Sequence, residues 1–190
     1  MSSVVSQTDH GPLQPHPQYL YSRRKARALT TASNANLARQ ASGQVGSSIL
    51  THLLESPHPF KISVVTRTDS SATLPSSVTV HKGAYTDASF LGTAFKSQDV
   101  VIFALHFMAQ GAQNGMIDAA AKAGVQWIIP NEYAGDGLNA DMMNASVVFG
   151  QKVQSRRHVE ELSKTHEGLR WIGVATNPFF ESVCPMLLYY

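Results

Sequence analysis

Ala41-Ser42-Gly43-Gln44-Val45-Gly46 opens directly onto a helical segment, Val45 to Glu55, in which Val45, Ile49, Leu50, Leu53 and Leu54 share one face before Pro57 and Pro59 end it. Glycines at such an opening let the backbone approach a pyrophosphate, whose charge is then met by amides at the helix N-terminus. Gly43 and Gly46 alone would describe any loop before a helix. The elements that follow set them in a dinucleotide-binding context.

Lys61 to Thr66 carries an Ile-Ser-Val-Val core stopped by the polar run Arg67 to Ser71, which predicts a strand. Val78 to His81 predicts a short further strand, and then a helix capped by Asp87 turns Phe90, Leu91, Ala94 and Phe95 inward. Val100 to Leu105 is apolar without alternation, the pattern of a parallel strand covered on both faces. A helix from Gln113 to Ala123 stops at Gly124, and Val125 to Ile129 is a buried strand ended by Pro130. A helix from Phe149 to Thr165 closes near Gly168, before a last strand from Leu169 to Thr176. Strands alternating with helices in this way predict an α/β fold, a Rossmann-type doubly wound parallel sheet.

Upstream the pattern fails. Residues 1–36 are rich in Ser, Gln, His and Pro, hold the basic cluster Arg23, Arg24, Lys25 and Arg27, and contain one acid, Asp9. A disordered tail, an aberrant first exon or a mitochondrial transit peptide each explain that composition. The domain is therefore expected over residues 37–190. Where its first strand is due, Asn34-Ala35-Asn36-Leu37-Ala38-Arg39-Gln40 offers Asn and Ala instead of Val and Ile. That strand is expected to be degenerate or missing.

At 190 residues and 43% hydrophobic, the chain can bury one sizeable core. A formal charge of +2 without a basic stripe argues against a nucleic-acid partner. Cys184 is the single cysteine, so no intramolecular disulfide forms, and a cytoplasmic location is expected. No apolar run approaches the ~18 residues of a membrane span. Metal-ligand spacing is absent, and so is the Gly-x-Ser-x-Gly elbow of a serine hydrolase.

Arg67 occupies the strand-end position at which an acid would bind the ribose hydroxyls of NAD. A guanidinium there can pair with a 2′-phosphate, which favours NADP(H) over NAD(H). A solvated arginine in a polar loop is the plain alternative.

Five stretches occur in the order expected of NmrA-like proteins: Gly43-Gln44-Val45-Gly46, Val65-Thr66-Arg67, Asp99-Val100-Val101-Ile102, Ile128-Ile129-Pro130-Asn131-Glu132-Tyr133 and Asn177-Pro178-Phe179-Phe180. From about Ala41 to Tyr190 the chain thus resembles the NmrA-like and isoflavone-reductase-like branch of the short-chain dehydrogenase/reductase superfamily. The resemblance implies a dinucleotide across the carboxyl edge of the sheet, contacted by Ser42, Gly43, Gln44, Val45 and Gly46 and lined by Phe103, Ala104, Leu105 and His106, with Asn131 near the nicotinamide. It implies Lys152 as the catalytic residue, matching a lysine that polarises or deprotonates substrate in the reductase members. A surface lysine on an amphipathic helix is the other reading of Lys152. Val148 stands where the Tyr-x-x-x-Lys pair of ordinary short-chain dehydrogenases would need tyrosine.

By the same resemblance the C-terminal region that completes a substrate pocket is expected to be truncated. The implied function is an NADPH-dependent oxidoreductase acting on a small organic substrate. The alternatives are a non-catalytic NADP(H)-sensing regulator working through a protein partner, or an inactive fragment.

Overall fold

The computed structural model describes residues 27–32, 41–135, 139, 141 and 147–176. In chain order the elements are β1 (Arg27–Ala32), α1 (Ala41–Glu55), β2 (Lys61–Thr66), β3 (Thr79–Lys82), α2 (Ala88–Phe95) and β4 (Val100–Ala104). There follow a 3-10 segment (Phe107–Ala112), α3 (Gln113–Lys122), β5 (Trp127–Ile129), α4 (Val147–Thr165) and β6 (Arg170–Trp171). The strands form a six-stranded sheet in the order β3-β2-β1-β4-β5-β6, with every pairing parallel. The chain runs outward from β1 to β3, then crosses back to β4 on the other side of β1. In open parallel sheets such a reversal marks the edge at which ligands ordinarily bind, here the carboxyl ends of β1 and β4, where Ala32 pairs with Ala104.

β1 bears out a degenerate first strand and corrects the sequence reading on its location. The first strand is present, and it lies at Arg27–Ala32, inside the stretch read as tail and ahead of the 36/37 boundary. It is degenerate in composition, with Leu29 its one large aliphatic residue. Its pairing is nonetheless complete on both sides: Leu29 sits opposite Ser63 of β2 and Val101 of β4, and Thr31 opposite Val65 and Phe103. β-branched Thr30 and Thr31 suit extended backbone, and two strong neighbours supply the ladder that the residues alone do not advertise. The Asn34 to Gln40 stretch lies outside the described residues.

The two cores explain why β2 and β4 are apolar without alternation. Successive side chains of a strand point to opposite faces. In β2, Ile62 and Val64 join Leu50 of α1 and Val78 in one cluster. Val65 instead joins Leu91, Phe95, Val101, Phe103, Met116, Ile117, Ile128 and Val159 beneath α2, α3 and α4. With helices on both faces, no position in the middle of either strand meets water, which is what continuous Val/Ile runs signal.

Element ends follow local chemistry. Asp87 caps α2, its Oδ1 accepting from the amides of Ser89 at 2.9 Å and Phe90 at 3.1 Å. Gly124 (φ 82°) takes the left-handed turn after α3, where the Val125 amide reaches back to the Ala120 carbonyl. The last strand is shorter than the expected Leu169 to Thr176, with a separate bridge between Ala134 and Ala175.

Candidate functional site

α1 is the helix that follows β1 in the chain. This helix begins at Ala41 and not at Val45, so Ser42, Gly43, Gln44, Val45 and Gly46 lie within its first turns instead of in a loop before it. Gly46 is buried and Val45 half-buried. The first turn holds no acidic residue that would repel an anion at the helix N-terminus.

Arg67 directly follows β2, whose last residue, Thr66, is buried. The Arg67 carbonyl accepts from the Ser70 amide at 3.1 Å, closing a turn, and its Nε stands 3.5 Å from Asp69 Oδ1. From the end of β3, Lys82 donates to the Ser70 carbonyl at 3.0 Å. A second cation therefore flanks the Arg67 turn. Sequence reasoning missed it because the strand was expected to end at His81; β3 runs one residue further and delivers Lys82 beside the end of β2. The buried Tyr85 hydroxyl is pushed up to about 12 by burial, against the Arg67 charge and with that of Asp69. It therefore stays a neutral phenol.

At the end of β4, Phe103 and Leu105 turn into the core, and Ala104 is buried. His106 is half-buried and caps the 3-10 segment, its Nδ1 accepting from the Met108 amide at 3.2 Å. The Leu105 carbonyl accepts from Asn131 Nδ2 at 2.9 Å.

Asn131 is the hub of this edge. Its Nδ2 also donates to Gln110 Oε1 at 2.6 Å, and its backbone amide donates to Gln113 Oε1 at 2.8 Å. Gln110 and Gln113 are almost wholly buried, so both amides of Asn131 are fixed in a dry setting. Its carbonyl takes the other key contact, from Lys152.

Lys152 reaches from the second turn of α4 to the loop after β5, donating to the carbonyls of Asn131 at 2.9 Å and Glu132 at 2.6 Å. It is half-buried, its ammonium lies on two neutral acceptors, and among the described residues it makes no salt bridge. Burial lowers its pKa from 10.5 to about 8, while the Glu132 charge raises it. Burial likewise raises the Glu132 carboxyl above its ordinary range, against the charges of Arg156 and Lys152. The next residue, Tyr133, holds a positive φ of 22°, uncommon for a residue other than glycine.

The structure thus brings Leu105, Asn131 and Lys152 into one hydrogen-bonded unit, and leaves Arg67 with Lys82 as a separate cationic corner. Glu132 and Arg156 were not singled out in the sequence. Arg156 follows Lys152 by one helical turn, which puts both on one side of α4 and was the available signal. Asn177-Pro178-Phe179-Phe180 lies outside the described residues. Among the described residues, no group of three metal-ligating side chains gathers, and no helix is long and apolar enough to cross a membrane.

The profile of the NmrA-like family matches residues 38–183. The chain is 38% identical over 144 residues to the protein named oxidoreductase aprR of Aspergillus flavus, which covers 74% of this chain and 47% of that relative. It therefore spans less than half the length of this curated relative. Among solved structures, it superposes on AtPrR2 with NADP+ and (+)pinoresinol with a TM-score of 0.60 at 20% identity, over 80% of this chain and 50% of that one. A short-chain dehydrogenase/reductase of the wide type from Veillonella parvula, solved in complex with NADP, gives a TM-score of 0.56 at 15% identity, over 80% and 69%. At such identities these two structures speak for the fold.

Proposed function

Because the chain belongs to the NmrA-like family, we propose that it binds NADP(H) across the carboxyl edge between β1 and β4 and serves an oxidoreductase acting on a small organic substrate beside Lys152. The observation that carries this reading is Lys152 itself, a half-buried amine held at the sheet edge with its pKa lowered to about 8. A group that titrates this close to neutrality both gives and takes protons readily. The oxidoreductase name of the curated relative supports the enzyme over a regulator.

The donor set fits a 2′-phosphorylated dinucleotide. The acid-free start of α1 suits the pyrophosphate, and Arg67 with Lys82 suits the 2′-phosphate. Asn131 braces the loop on the nicotinamide side of this reading. When bound, the cofactor supplies the hydride. Lys152 hands the accompanying proton to the substrate in the reducing direction and accepts it in the oxidising one. A cytoplasmic location belongs to the same reading.

The test is titration of the chain with NADPH and NADH, followed by NADPH oxidation assays with enones, quinones and aldehydes. Tighter binding of NADPH with turnover of one of these classes is expected. No binding of either dinucleotide overturns the proposal, and binding without turnover overturns its enzymatic half.

A further inference from the structure

Arg156 sends its guanidinium to the same loop that holds Lys152. Its Nε stands 3.8 Å from Glu132 Oε1, and its Cζ lies 5.6 Å from the ring centroid of Trp171 at the end of β6. Both side chains of the ion pair are largely covered, 24% and 14% exposed. A methyl group at Gly173 would collide with Glu132 Oε2 and come within 3.2 Å of the Trp171 ring, so the carboxylate also packs against the backbone after β6. The ammonium sits on the backbone carbonyl of the very residue that carries the carboxylate, and neighbours of that kind ordinarily form a direct, charge-assisted pair. Lys152 instead takes two backbone carbonyls, and the carboxylate is held by another cation.

We propose that Arg156 is a positioning residue that acts on Lys152 through Glu132. Stacked on Trp171, it keeps the Glu132 carboxylate turned away from the Lys152 ammonium, and so keeps that ammonium on the carbonyls of Asn131 and Glu132. The inference rests on Lys152 being the acid-base group of the proposed function. Among the described residues, the charged groups acting on Lys152 are Glu132, from the loop after β5, and through it Arg156, from α4 itself. From the 3-10 segment and α3, the neutral Gln110 and Gln113 are what hydrogen-bond to this loop among the described residues.

The test follows the titration of Lys152 directly, by NMR of the chain labelled with 13Cε-lysine, the resonance being assigned by its loss in Lys152→Arg. The wild type is expected to titrate near about 8. Glu132→Gln removes the supporting anion and should move the midpoint further down. Arg156→Met frees the carboxylate to close on the ammonium and should move it up, by about one pH unit or more. The double variant should behave as Glu132→Gln alone, because Arg156 acts through that carboxylate.

A merely structural role would loosen and hydrate the loop, and both single variants would then rise together toward 10.5. That result overturns the proposal, as does an Arg156→Met effect that persists in the Glu132→Gln background. If Glu132→Gln does not fold, Arg156→Lys against Arg156→Met decides: the lysine variant should keep the wild-type midpoint, and equal midpoints in the two overturn the clamp. No substrate is needed for the titration. A moved midpoint in a chain that never oxidises NADPH sinks the oxidoreductase reading and leaves the clamp standing.

Discussion

Arg67 and Asp69 face each other across one turn at the end of β2, Nε to Oδ1 at 3.5 Å, with side chains 45% and 72% exposed. An exposed pair of this kind contributes ~0–1 kcal/mol, whereas a hydrogen bond to a charged group contributes ~1.5–3 kcal/mol. On the proposed function, an incoming 2′-phosphate would displace Asp69 from the guanidinium. Arg67→Ala should weaken NADPH binding by about one to two decades and leave NADH binding nearly unchanged. Arg67→Asp should reverse the preference. Titration calorimetry checks both, and equal affinities of the wild type for the two dinucleotides would return Arg67 to the role of a surface residue.

Lys152→Ala should lower the turnover rate by roughly 100-fold to 10,000-fold while NADPH affinity changes little. In the reducing direction the ammonium is the active form, so kcat/KM should be level below about 8 and fall above it. In the oxidising direction the limb is inverted. A rate unaffected by Lys152→Ala would sink the assignment.

The same lysine has a consequence for stability. Its folded pKa is depressed from 10.5 to about 8, so between those values the unfolded chain binds more protons than the folded one. Stability from this group therefore rises with pH across that window, and its burial penalty is fully present below about 8. Relative to Lys152→Met, the wild type should gain in denaturant midpoint between pH 7 and pH 9. A constant difference would mean that Lys152 is not desolvated.

Asn131→Asp replaces Nδ2 with an oxygen facing two oxygens, those of Leu105 and Gln110. Breaking a buried network while adding an unpaired charge is among the more damaging single changes, here ~3–5 kcal/mol. The variant should unfold at much lower urea concentration, and near-wild-type stability would show that the hub does not carry the loop.

The central place of β1 is checked by Thr30→Pro. Proline in a strand paired on both sides removes a ladder donor and clashes with the backbone, so a loss of ~3 kcal/mol or more is expected. A circular-dichroism melt matching the wild type would move the first strand elsewhere.

Much of the fold was legible because β2 and β4 advertise two buried faces, and because Asp87, Gly124 and Gly168 mark element ends by their own backbone chemistry. β1 was not, since Thr30, Thr31 and Ala32 carry little hydrophobic signal and an arginine precedes them; the pairing partners, distant in the chain, make it a strand. Lys152 and Asn131 were reached through family resemblance. Their supports, Gln110, Gln113, Glu132 and Arg156, are ordinary polar residues until the sheet edge brings four elements together.

A strand first in the chain yet third in the sheet also sets a schedule for biosynthesis. β1 pairs with β2 early, but its other edge waits for Val100–Ala104, and at ~5–20 residues per second the intervening stretch of roughly seventy residues takes several seconds to emerge. Throughout that interval the nascent chain shows an open, hydrogen-bonding edge to its neighbours on the polysome, the hazard that natural sheets guard against. A run of Val and Ile there would be the stickiest choice. Thr30 and Thr31 stand there instead, so the strand lacks the hydrophobic signature that its central place ordinarily displays.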